Sequence, residues 1–383
     1  MRSILALALL CLTTAAPLAA LAGQIVVVPG ITARTTYDDN LFFDNVSDLE
    51  VRVSPSLTLE HNTDTTRIAL KGIVDVYRYA SEDRYDRANQ QYNLQVSHQA
   101  AERIGVSADV GFSRDYTFDN VLEETGFVTD RSLRNTYSFR PGISYSLTER
   151  TTARLFYNYS EQDYDRPQFT DSVLHGAHLL LTHSLEEEVS TVFASLQVQQ
   201  VTYDQPVKDT GQLVYQASIG LEYRFSPVFA LTVAPGAAWT KSEYTLGGVD
   251  QESTATSFTL NAEGEWTFDR TQLSLGVSRF IDQSIYGENI TVDRIDGTLT
   301  YGLTERLTAA FTAAHTHSTT EELLQDRTVQ TFSLNPRLSY GLTEDARLTL
   351  GYEFRDVDED GSENDHTRNQ VYGELSFSFP RDY

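Results

Sequence analysis

Between Val51 and Glu60 apolar and polar side chains alternate without a break: Val51, Val53, Pro55, Leu57 and Leu59 interleave with Arg52, Ser54, Ser56, Thr58 and Glu60. The same split recurs from Leu213 to Arg224, where Tyr215, Ala217, Ile219, Leu221 and Tyr223 oppose Gln216, Ser218, Gly220, Glu222 and Arg224, and again from Ala346 to Arg355. Successive side chains of a β-strand point to opposite faces, so each run is a strand with one oily face and one wet face. The runs last about 10 to 13 residues, longer than the usual globular strand of about five or six and close to the roughly 9–11 that a tilted strand needs to cross a bilayer.

The strands come in a repeated frame. SYSLTERTT from Ser144, TYGLTERLT from Thr300 and SYGLTEDARLT from Ser339 share one pattern, with weaker copies near Leu59, Ser97, Thr182, Glu222 and Gly264. Each joins a strand end to a second alternating run through a tight polar turn, at intervals of about 40 residues. Between the turns lie longer acidic stretches such as 163–171, 204–211 and 356–367. Short connections at one end and long ones at the other describe a meander of antiparallel hairpins. Tyr145, Tyr223, Trp266, Tyr301 and Tyr340 stand just before short turns and form one expected interfacial girdle, with Tyr77, Tyr159 and Tyr352 near the other. In lipid every backbone polar group has to be paired within the protein, and a closed barrel does this. The reading is all-β: a single transmembrane antiparallel up-and-down β-barrel of about 18 strands, 16 being the alternative because the first strand, from Val26, is the least regular. A soluble sandwich also alternates, but its strands are shorter and its loops do not sort by length.

Residues 1–22, MRSILALALLCLTTAAPLAALA, carry one basic residue, an apolar run and a small-residue end, the layout of a secretory signal peptide, which leaves 23–383 as the barrel domain. The single cysteine, Cys11, lies inside that segment, so the remainder has no thiolate chemistry and no disulfide. A formal net charge of −25 argues against nucleic acid as a partner.

On the wet faces fall Arg52, Arg67, Lys71, Asp75, Asp109, Arg140, Arg154, Glu222, Arg224, Glu263, Arg294, Arg337, Arg347, Glu353, Arg355 and Glu374, a set of mixed sign that would line a hydrated pore or pair across strands and fill it. The negative excess then sits in the loops. One loop spaces Asp356, Asp358 and Asp360 like calcium ligands with Gly361 at the bend, but Thr367 stands where a bidentate Glu belongs; no other cofactor is expected. His315, His317 and Ser318, and His175, His178 and His183, lie on distant strands, and no nucleophile turn is present, so no catalytic set is expected.

The stretch YDDNLFFDNVSDLEVRVSPSLTLE resembles the N-terminal pattern of outer-membrane β-barrel porin family 2 through Tyr37, Asp38, Asp39, Asn40, Leu41, Ser47, Asp48, Ser54, Pro55 and Leu57. The resemblance implies a porin-like protein of the bacterial outer membrane with a link to exopolysaccharide export. Outer-membrane lipid and lipopolysaccharide, the barrel-insertion machinery and a small hydrophilic solute or polysaccharide are the partners it implies. Val371, Gly373, Leu375, Phe377 and Phe379 fit the last strand, followed by Pro380 to Tyr383, so Phe379 and Tyr383 both qualify as the terminal aromatic that insertion machinery reads. The stretch YDDNLFFDNVSD, residues 37–48, reads as the first outer connection, with Leu41, Phe42 and Phe43 at the membrane edge or loop base. A channel for passive diffusion is the leading reading, a loop-plugged structural or surface-interaction barrel the second and a barrel enzyme the third.

Overall fold

The computed structural model describes residues 23–118, 131–167, 169–186, 189–204, 210–246, 249–283, 289–320, 327–360 and 366–382; the leader expected at 1–22, and Tyr383, lie outside them. Eighteen strands and a short terminal extension run in order: β1 (Gln24–Asp38), β2 (Asp48–Asn62), β3 (Thr66–Tyr79), β4 (Arg87–Ala101), β5 (Ile104–Tyr116), β6 (Leu133–Ser146), β7 (Thr151–Tyr164), β8 (Asp171–Glu186), β9 (Ser190–Asp204), β10 (Thr210–Ser226), β11 (Phe229–Leu246), β12 (Val249–Thr267), β13 (Thr271–Gln283), β14 (Asn289–Gly302), β15 (Leu307–Thr320), β16 (Arg327–Gly341), β17 (Ala346–Glu359), β18 (His366–Ser378) and β19 (Arg381–Asp382). Each of β1 to β18 pairs antiparallel with its sequence neighbours, β1 also pairs with β18, which closes the barrel, and β19 pairs with β1. The expected count of 18 holds and 16 does not. At a strand spacing of about 4.8 Å and a tilt of about 40°, the backbone circle is about 35 Å across.

The strands run 13–19 residues, longer than the alternation alone implied. The hairpin ladders continue past the apolar stretch: β11 and β12 stay paired from Phe229–Trp266 out to Leu246–Val249, so β12 starts at Val249 rather than near Ala255. The terminal tail does likewise. Gly30 pairs with Ser378 and Val27 with Arg381 in one unbroken register, and Phe379 N–H donates to Pro29 O at 3.0 Å. Pro380, with no N–H to give, interrupts the ladder without shifting it.

Four ladder gaps elsewhere have the same cause. Pairing lapses at Ser54–Pro55 against β3, at Arg140–Pro141 against β7, opposite Pro235 between β10 and β11, and at Asn335–Pro336 against β17. In each case the proline still pairs with the strand on its other side.

The outward faces carry the apolar set. Ile219 is 72% exposed, Ile295 59% and Val371 57%, with Leu196, Phe258 and Leu350 just behind. Such a belt around a closed sheet is stable only in lipid. Tyr145, Tyr223, Tyr301 and Tyr340 stand exposed on this face at the short-turn end, as expected of a girdle. Tyr77 does not join the other girdle: it shares the parity of Lys71 and Asp75, pairs with Arg52 and is buried inside the barrel. Ile219→Arg is expected to lower stability by about 2–4 kcal/mol, the value for a cation near mid-membrane, while Gln216→Arg on the inward face of the same strand costs less than about 1 kcal/mol; urea titration of the two variants refolded in bilayers makes the comparison.

Candidate functional site

All sixteen charged residues placed on wet faces share the strand faces opposite the apolar belt, and so face the lumen. Register shows the grouping: Arg52 pairs with Tyr77, Lys71 with Thr58, Asp109 with Arg140, and Thr232 lies between Glu222 and Glu263. Some are neutralised locally: Arg52–Glu374 at 3.5 Å, Arg67–Glu60 at 3.6 Å, Arg294–Asp296 at 3.0 Å and Arg355–Glu353 at 2.7 Å, while Ser54 donates to Asp75. Others are not. Among the described residues Lys71, Arg154, Arg224, Arg337, Arg347, Asp109, Glu222 and Glu263 make no ion pair, and Arg140 lies over the Phe156 ring at 4.3 Å. Except for half-exposed Asp109 they are solvent-exposed, and they lie toward the short-turn end. An ion without a partner is stable on that wall only if water reaches it.

The loop end is the reverse. Lumen-facing Thr36, Asp38, Tyr77, Tyr79, Arg87, Asp115, Arg134, Val201, Val214, Thr240, Ile290, Val292, Val329 and Val357 are all buried. What covers one sector is the first connection. After Asp38 the chain turns inward through a short 3-10 turn, Leu41–Phe43, and Leu41 is fully buried while Phe42 and Phe43 are 6% and 8% exposed. Leu41 and Phe42 join Tyr77, Tyr79, Tyr85 and Phe118 in one cluster; Phe43 packs on Val329 and Val357. The expected position at the membrane edge is therefore corrected: these side chains enter the barrel mouth. The turn holds Phe42, Phe43 and Asn45 at positive φ, 51°, 64° and 57°, a conformation bulky residues adopt only where their surroundings compel it.

The acidic and amide residues of the motif supply that compulsion, and they do so by binding the last full strand. Asp38, 1% exposed, accepts from the Arg368 guanidinium (Nε at 2.9 Å) and from Gln370 Nε2 at 2.7 Å. Asp39 accepts from the backbone N–H and side-chain amide of Asn369, both at 2.7 Å. Asn40 donates to Thr367 O at 2.7 Å and accepts from Asn45 N–H at 2.7 Å. Asp48 takes the N–H groups of Ser81 and Glu82 at 2.9 and 2.8 Å, fastening the next loop. Tyr85 donates to Asp44, and burial together with that bond pushes its phenol up to about 12. Arg87, 6% exposed, sits 3.8 Å from the Tyr77 ring centroid and within 5.6 Å of Phe42, Tyr79 and Phe118. It also donates to Tyr79 Oη at 2.7 Å. Desolvated cation–π contacts of this kind contribute about 2 kcal/mol.

Arg87, Arg368 and the Asp115–Arg134 pair, at 2.9 Å, were not among the residues singled out from the alternation. Parity was the available signal: each falls on a wet face.

The remaining candidates separate. Asp356 and Asp358 lie in β17, not in a loop, on its outward-pointing face; Asp360 follows in a turn, and 361–365 lie outside the described residues. Among the described residues no three His, Cys, Asp or Glu side chains are placed to hold a metal ion. His175 meets Tyr157 Oη at 2.7 Å on the outer face, whereas His178 faces inward toward Ser195 Oγ at 2.8 Å, so the histidines of β8 do not converge.

No protein-family model matches the chain and no curated protein matches it. Solved structures do. It is similar to the ferric citrate transporter FecA in the unliganded form, at 10% identity and TM-score 0.53, over 86% of this chain and 60% of that one. The Ferric-Catecholate import receptor Fiu from E. coli K12 shares 10% identity at TM-score 0.50, over 92% and 81%. The siderophore receptor PirA from Pseudomonas aeruginosa shares 12% at TM-score 0.50, over 92% and 80%. At these identities the likeness is one of fold: a closed antiparallel β-barrel, whose apolar outer belt suits it to a membrane.

Proposed function

We propose that the protein is a passive channel for small hydrophilic solutes, wide and charged at the short-turn end and narrowed at the loop end by its own first connection. One observation carries this reading: exposed lumen charges without ion partners, which require a hydrated interior. The path involves no chemistry; solute size is limited at the mouth, and the wall charges act on whatever passes. The link to polysaccharide export implied by residues 37–57 belongs to the same proposal, with an extended sugar chain as the solute.

Purified protein in a planar bilayer is expected to show discrete conductance steps, and added oligosaccharide to interrupt them. Absence of steps over a range of voltages and salts would sink the channel reading and leave the loop-plugged barrel, which the buried mouth favours. The wall makes a finer prediction. Replacing Lys71 and Arg154 together by Glu is expected to move the cation-over-anion permeability ratio up by roughly two- to threefold, read from the reversal potential in a salt gradient.

A further inference from the structure

The wall of the barrel is not uniformly sealed. β12 pairs with β13 only from Leu260–Arg279 to Thr267–Gln272, eight residue pairs and the shortest ladder between consecutive full strands among the described residues. Above it, β12 pairs with β11 alone out to Val249, and β13 pairs with β14 alone out to Gln283. At about 2.5 Å of height per tilted residue, the split begins about 20 Å above the turn end, within an apolar band about 25 Å tall. Open sheet edges are not tolerated in hydrocarbon without a purpose, because each unpaired backbone group there is costly.

A side-chain bond links the β11–β12 hairpin to β14 above the split. Ser242 on the lumen face of β11 accepts from Asn289 Nδ2 at 3.0 Å, reaching β14 across two intervening strands. Small and apolar lumen-facing side chains are buried here: Ala238 and Thr240 on β11, Thr259 on β12, and Ile290 and Val292 on β14 are each 1–3% exposed. On the lipid side Phe258 and Ile295 are 56% and 59% exposed near the split. On the strands that flank it, two buried polar atoms have no hydrogen-bond partner: Thr240 Oγ1 on β11 and Asn289 Oδ1 on β14.

We infer that the outer part of the β12–β13 seam is a lateral gate, closed by side chains instead of ladder bonds, that passes a single-chain amphiphile between the lumen mouth and the membrane. The chain would slide between Phe258 and Ile281, and a hydroxyl-bearing head would meet Thr240 Oγ1 and donate to Asn289 Oδ1. This path is separate from axial diffusion and stands or falls without it.

With the only cysteine at Cys11, Phe258→Cys and Ile281→Cys create one pair across the split, to be joined by oxidation or a short bifunctional thiol reagent. In vesicles, the joined barrel is expected to transfer a fluorescent monoacylglycerol at least about fivefold more slowly than the reduced form, with axial conductance unchanged. Equal transfer by joined and reduced protein would overturn the gate, as would wild-type transfer no faster than in protein-free vesicles. Thr240→Val, which keeps the shape and removes the orphan hydroxyl, is expected to slow transfer roughly three- to tenfold, the worth of one neutral hydrogen bond. Wild-type speed in that variant, shown folded by heat-modifiable migration, counts against the assigned head site even where the crosslink does not form.

Discussion

Replacing Leu41, Phe42 and Phe43 together by glycine raises the single-channel conductance by about twofold or more, since the turn that fills part of a lumen about 35 Å wide no longer docks. The three side chains are nearly or fully buried in the mouth, and each contributes about 1.5–3 kcal/mol by burial. Glycine accepts the positive φ of positions 42 and 43 at no steric cost, so the substitution relieves strain in the turn while removing what holds it in place. The barrel wall is untouched, and the folded yield stays near wild type. Planar-bilayer recording of both proteins gives the comparison. Equal conductance would move the narrowest point elsewhere. A silent wild type beside a conducting variant would mean that the connection is a plug.

Asp38→Ala is the second large effect, expected to lower stability by about 3–5 kcal/mol. Asp38 is 1% exposed and the Arg368 guanidinium is bound to it, so the alanine leaves a buried cation without its counter-charge, an arrangement more costly than lacking the pair altogether. Arg368 also lies over the Phe42 ring at 5.1 Å, so its release loosens the mouth as well as the β1–β18 closure. Denaturant titration in detergent measures the loss. Adding Arg368→Met to Asp38→Ala should recover more than half of it, because the orphan charge is then gone. A double variant no more stable than the single one would show that the pair is not what Asp38 supplies.

The strand frame was legible because its signal is local. A period of two, read over any ten residues of β2, β10 or β17, assigns both faces, and parity carries every inward charge from Arg52 to Glu374 onto the lumen. Parity also answers for Tyr77: its nearness to an interface suggests the girdle, but its odd number puts it beside Lys71 and Asp75 on the inward face. Loop content was less legible. Asp356 and Asp358 look like loop ligands in a list of residues, but ladder pairing with Thr367 and with Gln330 draws them into β17. The β11–β12 ribbon escaped for the same reason, since acidic and polar residues beyond the membrane pair in hairpins as readily as they form loops.

The carboxylates of the YDDN motif show the limit of composition most directly. As a sequence they suit a metal site, a solvated loop or a family signature equally well. In the fold they tie β1 to residues 367–370, more than 300 positions away, and turn the following aromatics inward. What the sequence by itself determined is the two-faced strand, the count of 18, and which end carries turns and which carries loops, since each rests on side-chain alternation and turn chemistry within one hairpin. Only the tertiary structure decided that the first connection enters the lumen, which wall charges are paired, and where the ladder parts between β12 and β13. Those outcomes depend on the stagger of closed strands and on contacts across the barrel, which no local pattern encodes.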